Sequence, residues 1–236
     1  MAEVTCEGRS IREINVAIKS HIRGGDNEIT VRNPGGRHNL GVAILEPAHV
    51  TIEGSAGYYC GALADGSTVE VTGSAGWGLA ESMLNGTAIV HGSAGNGAGA
   101  AFRGGAVIVY GDAAARAGVS MKGGLVLIGG DCGYMAGFMG QKGALIVCGD
   151  AGDAFADSMY ATVCYVGGKI AGLGNDTVIE ALSSADVEFL DATLERYLPF
   201  EIRKTKPSGK NFKKIVSGRR LWNFNQRDRK IWQEAL

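Results

Sequence analysis

The residues in this chain with the chemistry for catalysis or metal binding are five cysteines, four histidines and a set of regularly placed aspartates. Cys6, Cys60, Cys132, Cys148 and Cys164 contain no C-x-x-C pair, and their number is odd, so the sequence indicates neither a zinc ribbon nor a disulfide framework. They sit in apolar or glycine-rich stretches and read as small buried hydrophobes rather than nucleophiles. Cys6 would become a terminal nucleophile only after cleavage, and no cleavage signal precedes it. His21, His38, His49 and His91 are scattered without metal-ligand spacing. The stretch from Gly97 to Phe102 (GAGAAF) resembles part of a dinucleotide fingerprint, but its sixth position is Phe rather than Gly or Ala. Asp112, Asp131 and Asp150 lie 19 residues apart, Ser55, Ser74 and Ser93 hold the same place earlier, and Lys169 follows. Stacked carboxylates can bind a cation; more often, Ser or Asp after a turn glycine accepts hydrogen bonds from turn N–H groups, and the preceding glycine favours that second role. No catalytic, cofactor-binding or metal-ligating residue is therefore assigned. Tyr58, Trp77 and Tyr134 share another column, which fits a partner-contact face or simple aromatic stacking equally well.

These columns exist because the chain repeats. Gly54, Gly73, Gly92, Gly111, Gly130, Gly149 and Gly168 are spaced by 19 residues. Three residues after each come Gly57, Gly76, Gly95, Ala114, Gly133, Gly152 and Ala171, and four further on Gly61, Ala80, Gly99, Gly118, Gly137 and Ala156. The unit is G-x-x-G-x-x-x-G, with only Ala as a replacement at its second and third positions. Each repeat ends in an apolar run of period two, such as Val69 and Val71 or Val126 and Ile128, which describes a short strand with one buried face. Stacking such strands gives an all-β fold, a right-handed single-stranded parallel β-helix over residues 29–173, with coils about 4.8 Å apart. The glycines serve corners and close backbone approach, so their role is structural. Gly35 stands one period before Gly54, and an imperfect first coil is expected from about residue 29.

The flanks read differently. Residues 1–28 hold a capping box, Ser10 to Glu13, followed by Ile11, Ile14, Ile18 and Ile22 on one helical face. Residues 174–200 contain a second amphipathic pattern ending before Pro199. Solenoids need capped ends, and these two helices are the expected caps. Residues 201–236 carry 11 of the 23 Lys and Arg, with Trp222, Phe224 and Trp232 among them. This basic aromatic tail, with Arg219, Arg220, Trp222 and Phe224 as candidate contacts, reads as a docking arm for an acidic partner.

Net charge is −1, which argues against nucleic acid as the partner of the whole chain. Gly is 38 of 236 residues with only 4 Pro and no G-X-Y triplets, which excludes collagen. The N-terminus lacks a basic and apolar leader, and no apolar run approaches a membrane span, so a cytoplasmic protein is expected.

The G-x-x-G-x-x-x-G coils resemble the C-terminal β-helix (GXGXG domain) of the glutamate synthase large subunit and its stand-alone versions. The carrying segments are Arg12 to Asn15 (REIN), Gly54 to Cys60 (GSAGYYC), Gly118 to Gly123 (GVSMKG), Phe138 to Gln141 (FMGQ) and Gly149 to Asp153 (GDAGD). The resemblance is closest to the small subunit of N-methylglutamate synthase-type complexes and covers about residues 10–175, with Arg220 to Phe224 as a further stretch. It implies a structural subunit without catalytic residues of its own. Such a subunit organises a glutamine amidotransferase-like subunit and an FMN-binding synthase subunit, in which the FMN and an iron–sulfur cluster reside. The β-helical subunit of formylmethanofuran dehydrogenase and formyltransferase complexes shares the coils and is one alternative; a solenoid that binds a ligand by itself on the Tyr58, Trp77 and Tyr134 face is another.

Overall fold

The computed structural model describes residues 2–219. The chain forms an eleven-stranded sheet: β1 (Ala2–Thr5), β2 (Glu28–Arg32), β3 (His49–Glu53), β4 (Asp65–Val71), β5 (Asn85–Val90), β6 (Ala106–Val109), β7 (Lys122–Ile128), β8 (Lys142–Val147), β9 (Ala161–Val166), β10 (Thr177–Glu180) and β11 (Lys213–Ser217). From β1 to β9 every neighbour pair is parallel and consecutive in the chain, which is the parallel β-helix expected from the glycine repeat. Val69, Ala88, Val107, Val126, Leu145 and Cys164 stand in register along the interior and are buried. Burying each Val or Leu of such a column contributes about 1.5–3 kcal/mol.

Each coil has three walls. The strands form one. The second is a rung of single bridges, Ala56 to Ala75, Ala94, Ala113, Cys132, Ala151 and Ile170. The third is built from alternating left-handed residues. Tyr59, Gly61 and Leu63 have φ of 59, 66 and 59°, and the pattern recurs 19 residues on at Gly78, Ala80 and Ser82 and again at Arg116, Gly118 and Ser120. Their N–H groups donate alternately to the next coil, as from Tyr59 to Trp77, and to the previous one, as from Gly61 to Leu40. A non-Gly residue in this region costs about 1–2 kcal/mol, and these cross-coil bonds are what hold it there. The middle residue of each trio faces the core and the outer two face outward.

The three glycine columns therefore exist for two reasons. The third column, as at Gly118 and Gly137, has positive φ. Most glycines of the first column, Gly54 to Gly168, do not. At Gly130 an added Cβ would meet the Asp112 carboxylate at 2.0 Å, and at Gly152 the Gly133 backbone at 2.7 Å. Close approach of neighbouring coils, rather than turn conformation, excludes a side chain there.

Several expectations are corrected. β2 and β3 pair Glu28 with His49, a step of 21 residues rather than 19, so Gly35 is not the register mate of Gly54. One extra residue lies in the turn around Pro34, whose ring sits 3.1 Å from where a Gly54 Cβ would be, and the other between Ile44 and His49. β1 extends the sheet ahead of the first helix and was not foreseen in residues 1–28, being only four residues long. Helix α1 (Ile11–Arg23) does cap the N-terminal end: its capping box is formed, and Ile14, Ile18 and Ile22 join the interior core. Helix α2 (Ser184–Tyr197) caps no end. Its Leu190 and Leu194 pack on the outer face of the strand wall against Ile108, Leu127, Ile146 and Tyr165. The C-terminal end is closed by β11, which pairs antiparallel with β9 and places Ile215 in the interior core. The region read as a tail thus supplies the last interior rung, with β10 as the outermost strand.

Candidate functional site

The third wall carries the exposed aromatic groups that sequence placed in one column. Tyr58 and Trp77 stack with ring centroids 5.3 Å apart, and His38, not assigned from sequence, extends the stack at 4.3 Å from Tyr58. Its position was legible only once the first coil's longer register was known, because 38 to 58 is a step of 20. The His38 Nδ1 also accepts the Tyr58 N–H at 2.8 Å, which orients the ring. Tyr134 does not join this stack. Asn96 and Ala115 occupy the two intervening coils, so the rings of Trp77 and Tyr134 stand three coils, about 14 Å, apart. They bound a groove of about 360 Å³ floored by Gly97 and Ala115 and flanked by Tyr59, Glu81, Arg116 and Val119. A second groove of about 320 Å³ lies on the other side of Tyr59 and Glu81, lined by Val42, Ala62 and Leu63. Trp77 is 53% and Leu63 54% exposed. Large apolar side chains at that exposure are clustered on one wall, which is the composition an interaction surface needs.

The glycine columns set this geometry. Gly76 and Gly95 let Tyr58 and Trp77 lie flat over the following coil: a Cβ on either glycine would stand 2.6 Å from the ring below it. Asn96 fixes the floor, its Oδ1 accepting the Ala115 N–H at 3.1 Å. Arg116 forms no ion pair with a described residue, so its charge is open to a partner.

The Ser and Asp column is a hydrogen-bond ladder. Ser55, Ser74 and Ser93 accept the N–H nineteen residues on at 3.1–3.2 Å; Asp112, Asp131 and Asp150 do so at 2.8, 2.7 and 2.6 Å. The shorter carboxylate rungs are charge-assisted. The donors belong to the next coil rather than to each residue's own turn, which refines the sequence reading. Gly73, Gly92, Gly111, Gly149 and Gly168 lie against this ladder, Gly54, Gly57 and Gly133 lie against the preceding coil, and Gly61 and Gly99 belong to the positive-φ third column.

All five cysteines are buried. Burial pushes Cys60, Cys132 and Cys148 up to about 12, so their thiols stay protonated. Among the described residues no cluster of His, Cys, Asp and Glu suits a metal ion, and no helix is long and apolar enough to cross a membrane. The structure does unite two histidines that looked scattered. Glu70 bonds His49 at 2.8 Å and His91 at 2.7 Å, because steps of 21 are diagonal neighbours in a 19-residue coil. Burial works against the Glu70 carboxylate, but the bonds from His91 and His49 outweigh it and hold it below its ordinary range. Under α2, Asp186 accepts the Tyr165 hydroxyl at 2.6 Å, caps the helix with Ser183 and pairs with Lys214 at 3.0 Å.

Arg219 lies far from the aromatic wall in the fold, lining a 720 Å³ depression at the C-terminal end with Val163, Val178 and Val216. Arg220, Trp222 and Phe224 fall outside the described residues. The predicted contacts therefore divide between the third wall and the C-terminal end.

No protein-family model matches the chain. Over 61 residues it is 41% identical to Protein GlxC of Rhizobium meliloti (strain 1021), a stretch that is 25% of this chain and 26% of GlxC. The chain is thus similar to that protein over about a quarter of each.

Proposed function

We propose that this chain is a structural subunit of a glutamate synthase-like assembly, most closely of the N-methylglutamate synthase type, working in the cytoplasm. Its task is to hold an amidotransferase-like subunit and an FMN-binding synthase subunit in fixed relation, the FMN and iron–sulfur cluster residing in the latter. The observation that carries this reading is the third wall. It presents Tyr58, Tyr59, Leu63, Trp77 and Tyr134 exposed on a backbone tied coil to coil by hydrogen bonds. A surface of that kind fits a permanent partner better than a small ligand, because its grooves are shallow and its rings stand too far apart to clasp one planar group. The resemblance of the glycine coils and the partial similarity to Protein GlxC support the family side of the reading.

The test is a tagged pull-down from the native host, with mass spectrometry and a visible spectrum of the eluate. The expected result is a flavin spectrum with amidotransferase-like and FMN-synthase-like chains, lost on Trp77→Ala in a protein that still folds. Recovery of the chain alone, without flavin, overturns it.

A further inference from the structure

Arg103, Lys122 and Lys142 head three successive coils at the corner where the third wall turns into the strands. Lys142 is the register partner of Lys122, and the Lys122 N–H donates to the Phe102 carbonyl beside Arg103. All three are exposed, and none forms an ion pair or side-chain hydrogen bond with a described residue. Like charges on adjacent rungs about 4.8 Å apart destabilise one another. Beside this row runs an apolar strip of Val119, Phe138 and Met139, each only partly buried, and on the strip's other flank stands the unpaired Arg116. Asp65 and Glu81 belong to the preceding coils, which confines the cationic stretch to the middle of the solenoid.

We propose that this strip receives an acidic amphipathic α-helix of a partner subunit, laid along the solenoid axis. The proposal rests on the docking role above and names the chemistry of the partner. Spacing selects the helix. Carboxylates at i, i+4 and i+7 of a helix span about 10.5 Å, so over two steps they drift only about 0.9 Å from rungs at about 4.8 Å. An extended strand presents one face every ~6.7 Å and drifts about 4 Å over the same two steps. The apolar stripe of the helix covers Val119 and Phe138 while its carboxylates neutralise the row.

The experiment uses the full chain and a fluorescein-labelled, alanine-rich helical peptide with Glu at i, i+4 and i+7 beside a Leu stripe. A Gln version of the peptide and a short RNA duplex serve as comparison probes. The Glu peptide is expected to bind, to weaken with added salt, and to lose about tenfold or more in affinity to the Arg103→Gln/Lys122→Gln/Lys142→Gln variant. A protein with these three positions changed to Glu is expected to prefer a Lys-bearing peptide instead. Equal binding of the Gln peptide, unchanged binding by the folded triple variant, or tighter binding of the RNA duplex would each overturn the proposal. Failure of the assembly reading looks different: peptide binding stays intact while no flavin-bearing partner accompanies the native chain.

Discussion

Two glycines separate the physical reasons that one residue type recurs. Gly118 has φ of +67° with its nearest neighbour, the Met121 sulfur, 3.4 Å from a built Cβ, so Gly118→Ala meets backbone strain alone. Ala80 and Ala156 already occupy that column at φ of 54 and 59°, and the expected cost is about 1 kcal/mol. At Gly152 the added carbon meets Gly133 and Tyr134 backbone at 2.7 and 2.8 Å, and neighbouring coils must part. Gly152→Ala is expected to cost roughly 2–3 kcal/mol or more, in the range of overpacked cores. Urea unfolding of the two variants checks the order; equal losses would show that close approach is not what the second-column glycines serve. Asp186 supplies a pH-dependent contribution. Burial raises its pKa, yet bonds from Tyr165, Ser183 and Lys214 prevail and hold it well below the carboxylate range. A group depressed in the folded state stabilises above its unfolded pKa, about 3.9, and that stability fades as pH falls further. Asp186→Asn is expected to lose about 2–3 kcal/mol at pH 7, with the gap to the parent protein narrowing below about pH 4. A gap constant from pH 7 to 3 would remove the carboxylate's charge from the account.

At the scale of elements, the two ends of the solenoid are closed differently. Helix α1 covers the first interior rung with three isoleucines spaced for one face, which the sequence states openly. β11 covers the last rung from a distance of 45 residues or more, running antiparallel to every strand before it. Ile215 is fully buried there, and Ile215→Ala is expected to cost about 2–4 kcal/mol. Hydrogen exchange should show the loss first in β9 and its neighbours, because a solenoid coil depends mainly on the coils it touches. Exchange that speeds uniformly from β2 to β9 would mean instead that the stack unfolds as one unit. Helix α2 does a third thing: it covers the outer face of the later strands, where Ile108, Leu127 and Ile146 would otherwise meet water. The earlier strands need no such cover, since Thr30, Thr51 and Glu70 occupy the equivalent outward positions.

At the scale of the whole molecule, one wall is covered over its later strands, one is narrow and hydrogen-bonded, and one is left with aromatic, apolar and cationic groups facing out. That asymmetry is what supports the proposal that the third wall docks a partner. The sequence by itself determined the stack: a spacing of 19 between glycines admits few other folds, because each coil must close the same path over the same strand. It also determined the aromatic column of Tyr58 and Trp77, since register within the regular coils is simple addition. Tertiary structure alone decided the rest. His49 and His91 meet at Glu70 because outward rows run diagonally across neighbouring strands. Left-handed residues such as Tyr59 and Arg116 carry no local signature, since their conformation is imposed by bonds to the coils on either side. The cap from β11 was invisible for the same physical reason: pairing across so long a connection is set by which apolar edge lies open at the end of the stack, and no periodicity within the segment records it.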